Sequence, residues 1–234
     1  MRRRQVERRR RRRWSSIRIA RDLGLPIVTV VREQRRLGLN QLSRLDPPRP
    51  ANRYEWPAAG DLLYLDIKKL VRIGRIGHRI HGDRRTKVRG IGWEFVHVAI
   101  DDATRLGYVE VLESEDQHVT TAFLARAPRF FARRGIRVSR VLTDNGAAYR
   151  SRTFATHLAT TQIRHRRTRP YTPRTNGKAE RFIRTLLAEW AYAQAYRTSL
   201  ARTLALPNYL GYYDTARPHM GIHGMTPQQK LATL

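Results

Sequence analysis

Three acidic residues occupy positions where an acid is either costly or conspicuous. Asp66 lies inside the apolar run Leu62-Leu63-Tyr64-Leu65-Asp66-Ile67, where a bare charge would face a core unless something compensated it. Asp144 follows Val141-Leu142-Thr143, at the end of a buried strand, where α/β sheets hold their ligands. Asn145-Gly146 behind it supplies a tight turn. Glu180 stands near the start of a helix that follows the irregular run from Arg169 to Gly177. Singly, each acid has an ordinary explanation. A strand Asp pairs with a buried Arg, an Asp before Asn-Gly makes a turn, and a Glu in a first helical turn meets the dipole. Taken together, one mid-strand, one strand-end and one helix-start acid can converge on one edge of a sheet. Three carboxylates can hold two Mg2+ ions, which activate an attacking oxygen and stabilise a leaving one.

The elements that would hold these acids follow an α/β rhythm. Residues 62–70 read as a strand, 71–89 as a Gly- and Arg-rich excursion, and 91–100 and 108–112 as two more strands. Residues 119–134 have helical periodicity, which Pro128 should end or kink. A buried strand is expected over 136–142, a short helix over 151–160 and a short strand over 162–166. Residues 178–196 carry Phe182, Ile183, Leu186, Leu187 and Trp190 on one helical face, and a further helix is expected over 200–213. Three strands in series, then alternating helices and strands, describe an α/β fold: a mixed sheet flanked by helices. Asp101 and Asp102 read as turn residues pairing with Arg105. His165 and His219 read as surface or structural, and the aromatics from Trp190 to Tyr213 as helix packing.

Charge sets the partner class. With 47 Lys plus Arg against 19 Asp plus Glu, the formal net charge is +28. Such a balance favours a polyanion, and nucleic acid ahead of an anionic membrane surface. No apolar run approaches the ~18–20 residues of a membrane span, and the arginine-rich start lacks the apolar stretch of a signal peptide. The expected place of work is therefore the cytoplasm, on the nucleoid. Cysteine is absent, which excludes disulfides, thiolate zinc sites and thiol nucleophiles. A metal must be held by carboxylate or His, and carboxylates suit hard ions such as Mg2+.

Four regions are expected along the chain. Residues 1–39 comprise an arginine block, read as a disordered basic arm, and two short amphipathic helices around Gly24-Leu25-Pro26, the signature of a helix-turn-helix. Arg32, Arg35 and Arg36 on the second helix are candidates to meet phosphates or base edges. Residues 40–60, with Pro47, Pro48, Pro50 and Pro57, read as a linker. Residues 61–196 form the catalytic core and 197–234 a C-terminal helical extension.

The segments Leu65-Asp66-Ile67-Lys68-Lys69-Leu70, Val141-Leu142-Thr143-Asp144-Asn145-Gly146 and Arg169-Pro170-Tyr171-Thr172-Pro173-Arg174-Thr175-Asn176-Gly177-Lys178-Ala179-Glu180-Arg181 closely resemble insertion-sequence transposases with a retroviral-integrase-type core. Thirty-five residues separate Asp144 from Glu180, the spacing that defines the D,D-35-E group. The tail from Tyr213-Asp214-Thr215-Ala216-Arg217-Pro218-His219 to Gly224-Met225-Thr226-Pro227 is similar to that family's C-terminal signature. The resemblance implies an RNase H-like core, two divalent metals (Mg2+ or Mn2+) and phosphoryl transfer at transposon ends by an oligomer on double-stranded DNA. It makes Asp66, Asp144 and Glu180 the metal ligands, and Asn145, Asn176, Gly177, Lys178 and Arg181 residues that shape the site or touch DNA. Relatives often have Gln where this chain has Arg174, and carry another helix-turn-helix unit before residues 14–39. The shorter start supports a second expectation, a catalytically idle transposase acting as a DNA-binding module. A packaging protein would need the charge but not the three acids, and ranks last.

Overall fold

The computed structural model describes residues 2–46, 55–73, 92–168 and 176–234, in two compact units, Met1–Tyr54 and Glu55–Leu234. The 71–89 excursion lies largely outside the described residues, as do Pro47, Pro48, Pro50 and the run 169–175 with Arg174.

The first unit corrects one expectation. The arginine block is no disordered arm: it forms helix α1 (Arg2–Arg11), beside α2 (Ser16–Leu23) and α3 (Ile27–Arg36). Two side chains explain why. Val6 is fully buried with Ile19, Ala20 and Val30. Arg10 is buried too, and its guanidinium donates to Leu39 O (2.8 Å), Trp14 O (3.0 Å) and Asn40 O (3.0 Å). It thereby satisfies two carbonyls beyond the end of α3 and one between α1 and α2 that would otherwise be orphaned. The two expected helices are present. Ser15 caps α2 by accepting from Arg18 N, and Gly24, at φ 62°, closes it in the left-handed conformation that glycine adopts without a Cβ penalty.

The second unit is built on a five-stranded sheet ordered β3-β2-β1-β4-β5: β1 (Leu63–Val71), β2 (Trp93–Asp101), β3 (Gly107–Leu112), β4 (Arg140–Thr143) and β5 (Arg164–Arg167). β1 runs antiparallel to β2, and β2 to β3, while β4 is parallel to β1 and β5 to β4. The central strand is buried on both faces at its start, which is why 62–65 is continuously apolar. One face, with Tyr64, Val98 and Leu142, packs on α6 (Gly177–Leu186) through Phe182 and Leu186. The other, with Leu63, Leu65 and Val141, packs on α4 (Gln117–Ala132) and α5 (Arg152–Thr160) through Phe131 and Phe154. The architecture is a mixed sheet flanked by helices. Among the described residues, no helix is long and apolar enough to cross a membrane.

Several boundaries differ from expectation for identifiable reasons. Helix α4 continues through Pro128, losing one backbone bond rather than its course. Ile136 and Val138 precede β4. Ile136 is spent on the exit from α4, where its N–H donates to Phe131 O at 3.1 Å and its side chain is buried. After Leu186 the α6 helix widens into a π-helical turn, Leu187–Ala191, that buries Trp190. The next helix breaks at Ala205, before Pro207, into α7 (Ser199–Leu204) and α8 (Leu206–Thr215), with α9 (Pro227–Ala232) beyond. Leu206 and Tyr213 belong to the same core cluster as Phe182, so residues after 197 complete one face of the sheet. Glu55 to Gly60 also belong to this unit: Trp56 N donates to Asp102 Oδ2 at 2.7 Å, and Gly60 N to Asp101 Oδ1 at 2.8 Å.

Candidate active site

Strand register decides what the three carboxylates share. β1 and β4 are parallel with Leu63 opposite Val141 and Tyr64 opposite Leu142. Continued by two residues, that register sets Asp144 level with Asp66, on strands about 4.8 Å apart. Side chains alternate along a strand, so Asp66 shares its face with Tyr64, and Asp144 with Leu142. Both belong to the face covered by α6, and Glu180 is in the first turn of α6. Asp66 is half-buried, while Asp144 and Glu180 are exposed. The three arrive from mid-strand, strand end and helix start, each supported by its own segment.

Asp66 is held at both oxygens. Ile67 N donates to Oδ1 at 2.8 Å and Asn176 Nδ2 donates to Oδ2 at 3.2 Å. Its pKa is raised to about 6, chiefly by desolvation, with the charges of Asp144 and Glu180 adding to the rise against the opposing Ile67 bond. The three acids are thus electrically coupled. Asp144 Oδ1 accepts from Gly146 N at 2.8 Å. A Cβ on Gly146 would sit 3.0 Å from that oxygen and 3.4 Å from the Tyr149 ring, so the turn is tight enough to favour glycine. Tyr149 is buried and edge-on to Phe154, in the core cluster of the other sheet face. Burial first, then the Asp66 and Asp144 charges, push its phenol well above the usual range.

The remaining residues singled out by sequence divide into three groups. Asn145 Nδ2 donates to Thr168 O at 2.9 Å, tying the turn to the end of β5. Asn176 is only 5% exposed. Read from the resemblance among residues that shape the site or touch DNA, it holds Asp66, and its Oδ1 is buried with no partner among the described residues. Lys178 is likewise directed inward. It pairs with the fully buried Asp102, whose other oxygen takes the Trp56 N–H, and burial lowers its pKa. Gly177 and Arg181 are exposed, and a Cβ on Gly177 would meet nothing within 4 Å. Arg32, Arg35 and Arg36 are exposed on α3 in the first unit, Arg36 paired with Glu33 at 2.9 Å.

Asp101 and Asp102 do form a turn, with Asp101 accepting from Thr104 N at 2.8 Å and Thr104 Oγ1 at 2.7 Å. Their side chains do not pair with Arg105, which faces Glu55 at 3.4 Å. His165 is structural: its Nε2 lies 2.9 Å from Thr143 Oγ1 and its ring tilts against Phe154. Sequence reasoning missed the buried Arg202, which donates to Val71 O (3.0 Å) and Glu94 (2.5 Å). Nothing local marks it.

Carboxylate oxygens of this number and kind fit a hard divalent cation. Among the described residues, no three His, Cys, Asp or Glu side chains are gathered at ligand spacing. The exposed Asp144 and Glu180 are the acids with room to rotate.

Comparison with known proteins bears on the fold. Two family models described as integrase core domain match, one at residues 74–173 and one at 161–227. The chain is 33% identical over 129 residues to a retrovirus-related Pol polyprotein from transposon TNT 1-94 of Nicotiana tabacum, a match covering 54% of this chain and 8% of that one. It is 27% identical over 154 residues to a putative integrase of Spiroplasma virus SpV1-C74, covering 60% of this chain and 42% of that one. The chain therefore spans less than half the length of either relative. Among solved structures, the HTLV-2 integrase catalytic core in complex with magnesium superposes with a TM-score of 0.52 at 17% identity, over 75% of this chain and 98% of that one. A simian T-cell lymphotropic virus intasome gives 0.56 at 17% identity, over 93% and 74%, and the BIV integrase core 0.51 at 18%, over 74% and 95%. Sheet order, flanking helices and family matches agree: this chain carries an RNase H-like core of the integrase type.

Proposed function

We propose that this chain is a DDE-type DNA transposase, a polynucleotidyl transferase that cuts at transposon ends and joins them to target DNA, with Asp66, Asp144 and Glu180 as its metal-holding carboxylates. The observation carrying this reading is the β1–β4 register together with the helix that brings Glu180 to the same face. Water attacks the phosphorus at the element end and the P–O3′ bond breaks, leaving a 3′-hydroxyl. That hydroxyl then attacks a target phosphodiester, and a second P–O bond breaks. Bound Mg2+ or Mn2+, two ions on this reading, supplies activation of the attacking oxygen and stabilisation of the leaving one. The chain's own part is orientation. Asn176 and the Ile67 N–H fix the Asp66 carboxylate, and the Gly146 N–H fixes that of Asp144. Arg181 and the open backbone at Gly177 face outward, where phosphates would lie. The working partner is double-stranded DNA, engaged by more than one copy of the chain.

The test uses a labelled duplex bearing the inverted repeat that flanks the coding region. Asp66→Asn, Asp144→Asn and Glu180→Gln should each abolish Mg2+- or Mn2+-dependent cutting while leaving DNA affinity unchanged or slightly raised, because each keeps shape and removes a negative charge beside a polyanion. Normal cutting by Glu180→Gln would remove that residue from the site. An unmodified chain that binds the repeat but never cuts it with either metal would leave the DNA-binding module as the function.

A further inference from the structure

The first unit contains seventeen arginines against four acids, Glu7, Asp22, Glu33 and Asp46. All four acids are occupied, by Arg11, Arg9, Arg36 and Arg13 respectively. Arg3 also approaches Glu33 at 4.0 Å, so arginines far outnumber the acids that could pair with them, an excess that suits a polyanionic duplex. On α3, Val30 and Gln34 face the core. The opposite stripe, at helical spacing, carries Val28, Arg32 and Arg35, all exposed. Val28 is 68% exposed. A single surface valine is unremarkable, but this one occupies the first turn of the second helix of a helix-turn-helix, from which side chains reach base edges. In the major groove thymine offers a 5-methyl group and guanine the O6/N7 pair that arginine takes in two hydrogen bonds. Arg36 is held by Glu33 and is less available.

We propose that Val28 contacts a thymine 5-methyl group in the major groove and that Arg32, one turn on, reads a neighbouring base edge, so that this stripe selects the duplex the chain prefers. The inference rests on the reading above in taking DNA as the partner, and it specifies how one sequence is distinguished from another. Val28 and Arg32 are separated by about 6 Å along the helix, close to two base-pair steps of about 3.4 Å. The thymine should therefore lie within about two base pairs of the base that Arg32 reads.

The full chain, with EDTA and at fixed salt, is used to select duplexes from a random library, and each thymine of the enriched site is then replaced by deoxyuridine, which lacks only the methyl. At one position the replacement should weaken binding about fourfold, the worth of one buried methyl-sized group. Val28→Ala should bind the thymine duplex correspondingly more weakly and be insensitive to the replacement. Val28→Ile, which keeps an apolar side chain, should remain sensitive. Random duplex should bind both variants as it binds the parent, which also shows that they are folded. Absence of any enriched sequence, absence of a methyl-sensitive position, or methyl sensitivity that persists in Val28→Ala would each overturn the proposal. Because no metal is present and nothing is cut, an inert carboxylate site would not alter the outcome.

Discussion

The two units handle charge in opposite ways. In the first, a small core of Val6, Ile19, Ala20 and Val30 carries a shell of arginines, and the acids serve as partners at or near the surface. In the second, acids go inside: Asp101 and Asp102 are fully buried, and Asp66 is partly so. Each is fixed by specific donors, two of them backbone N–H groups before β1. Exposed charge is available to a partner, whereas buried charge holds the fold in one arrangement. That contrast predicts which substitutions damage the molecule and which only weaken its grip on DNA.

The largest stability loss is expected where a buried pair is broken. Lys178→Met leaves Asp102 buried beside Trp56 N with its cation gone, a change that costs about 3–5 kcal/mol when the remaining charge is uncompensated. Urea unfolding should show the loss in the second unit's transition. If Lys178 instead served mainly to touch phosphates, stability would be unchanged and only salt-dependent DNA affinity would fall.

A second test uses pH. Asp214 on α8 accepts weakly from Gly107 N at 3.4 Å, and burial raises its pKa to about 7. The folded chain therefore retains a proton that the unfolded chain, with an ordinary pKa near 3.9, has released. Stability from this group is fully present below about pH 4 and is lost as pH rises through about 7. Asp214→Asn should flatten that fall and stabilise the second unit at pH 8, by a few kcal/mol at most on the order-of-magnitude linkage estimate. A parent whose second-unit stability does not change across this window, after allowance for Asp66, would remove Asp214 as the cause.

The smallest effect belongs to the first unit. Glu33→Gln removes the surface pair with Arg36, worth about 0–1 kcal/mol, and releases Arg36 from its carboxylate. Thermal unfolding should barely move, while affinity for random duplex rises slightly at low salt. A marked loss of stability would mean that the contrast between the units is drawn too sharply.

Much of the second unit was legible in the sequence because its signals are local. An acid inside Leu62 to Ile67, a strand ended by Asp144-Asn145-Gly146 and a helix opening on Glu180 each declare themselves within a few residues. The parts that local sequence leaves open are settled over long separations. Arg10 turns an arginine block into a helix by reaching carbonyls 29 and 30 residues away. Lys178 finds Asp102 at a separation of 76, and Asn176 finds Asp66 at 110. Composition read the Arg10 block as a basic arm, and the family resemblance placed Lys178 and Asn176 among residues that shape the site or touch DNA. What decides their roles is whether an acceptor waits in the core, and that is a property of the fold.

The short ladder between β1 and β4 has a consequence beyond catalysis. Among the described residues, β1 pairs with β4 only at Leu63 and Tyr64, so from Leu65 onward that side of the strand has no ladder to β4, although the Ile67 N–H is taken by Asp66 and Val71 O by Arg202. Such an edge invites a strand from another molecule, and proteins discourage this with charge. Here Asp66, Lys68 and Lys69 follow one another along the exposed stretch. The same short ladder would make the chain sticky if those charges were lost, and Asp66→Asn should be watched for aggregation as well as for silence.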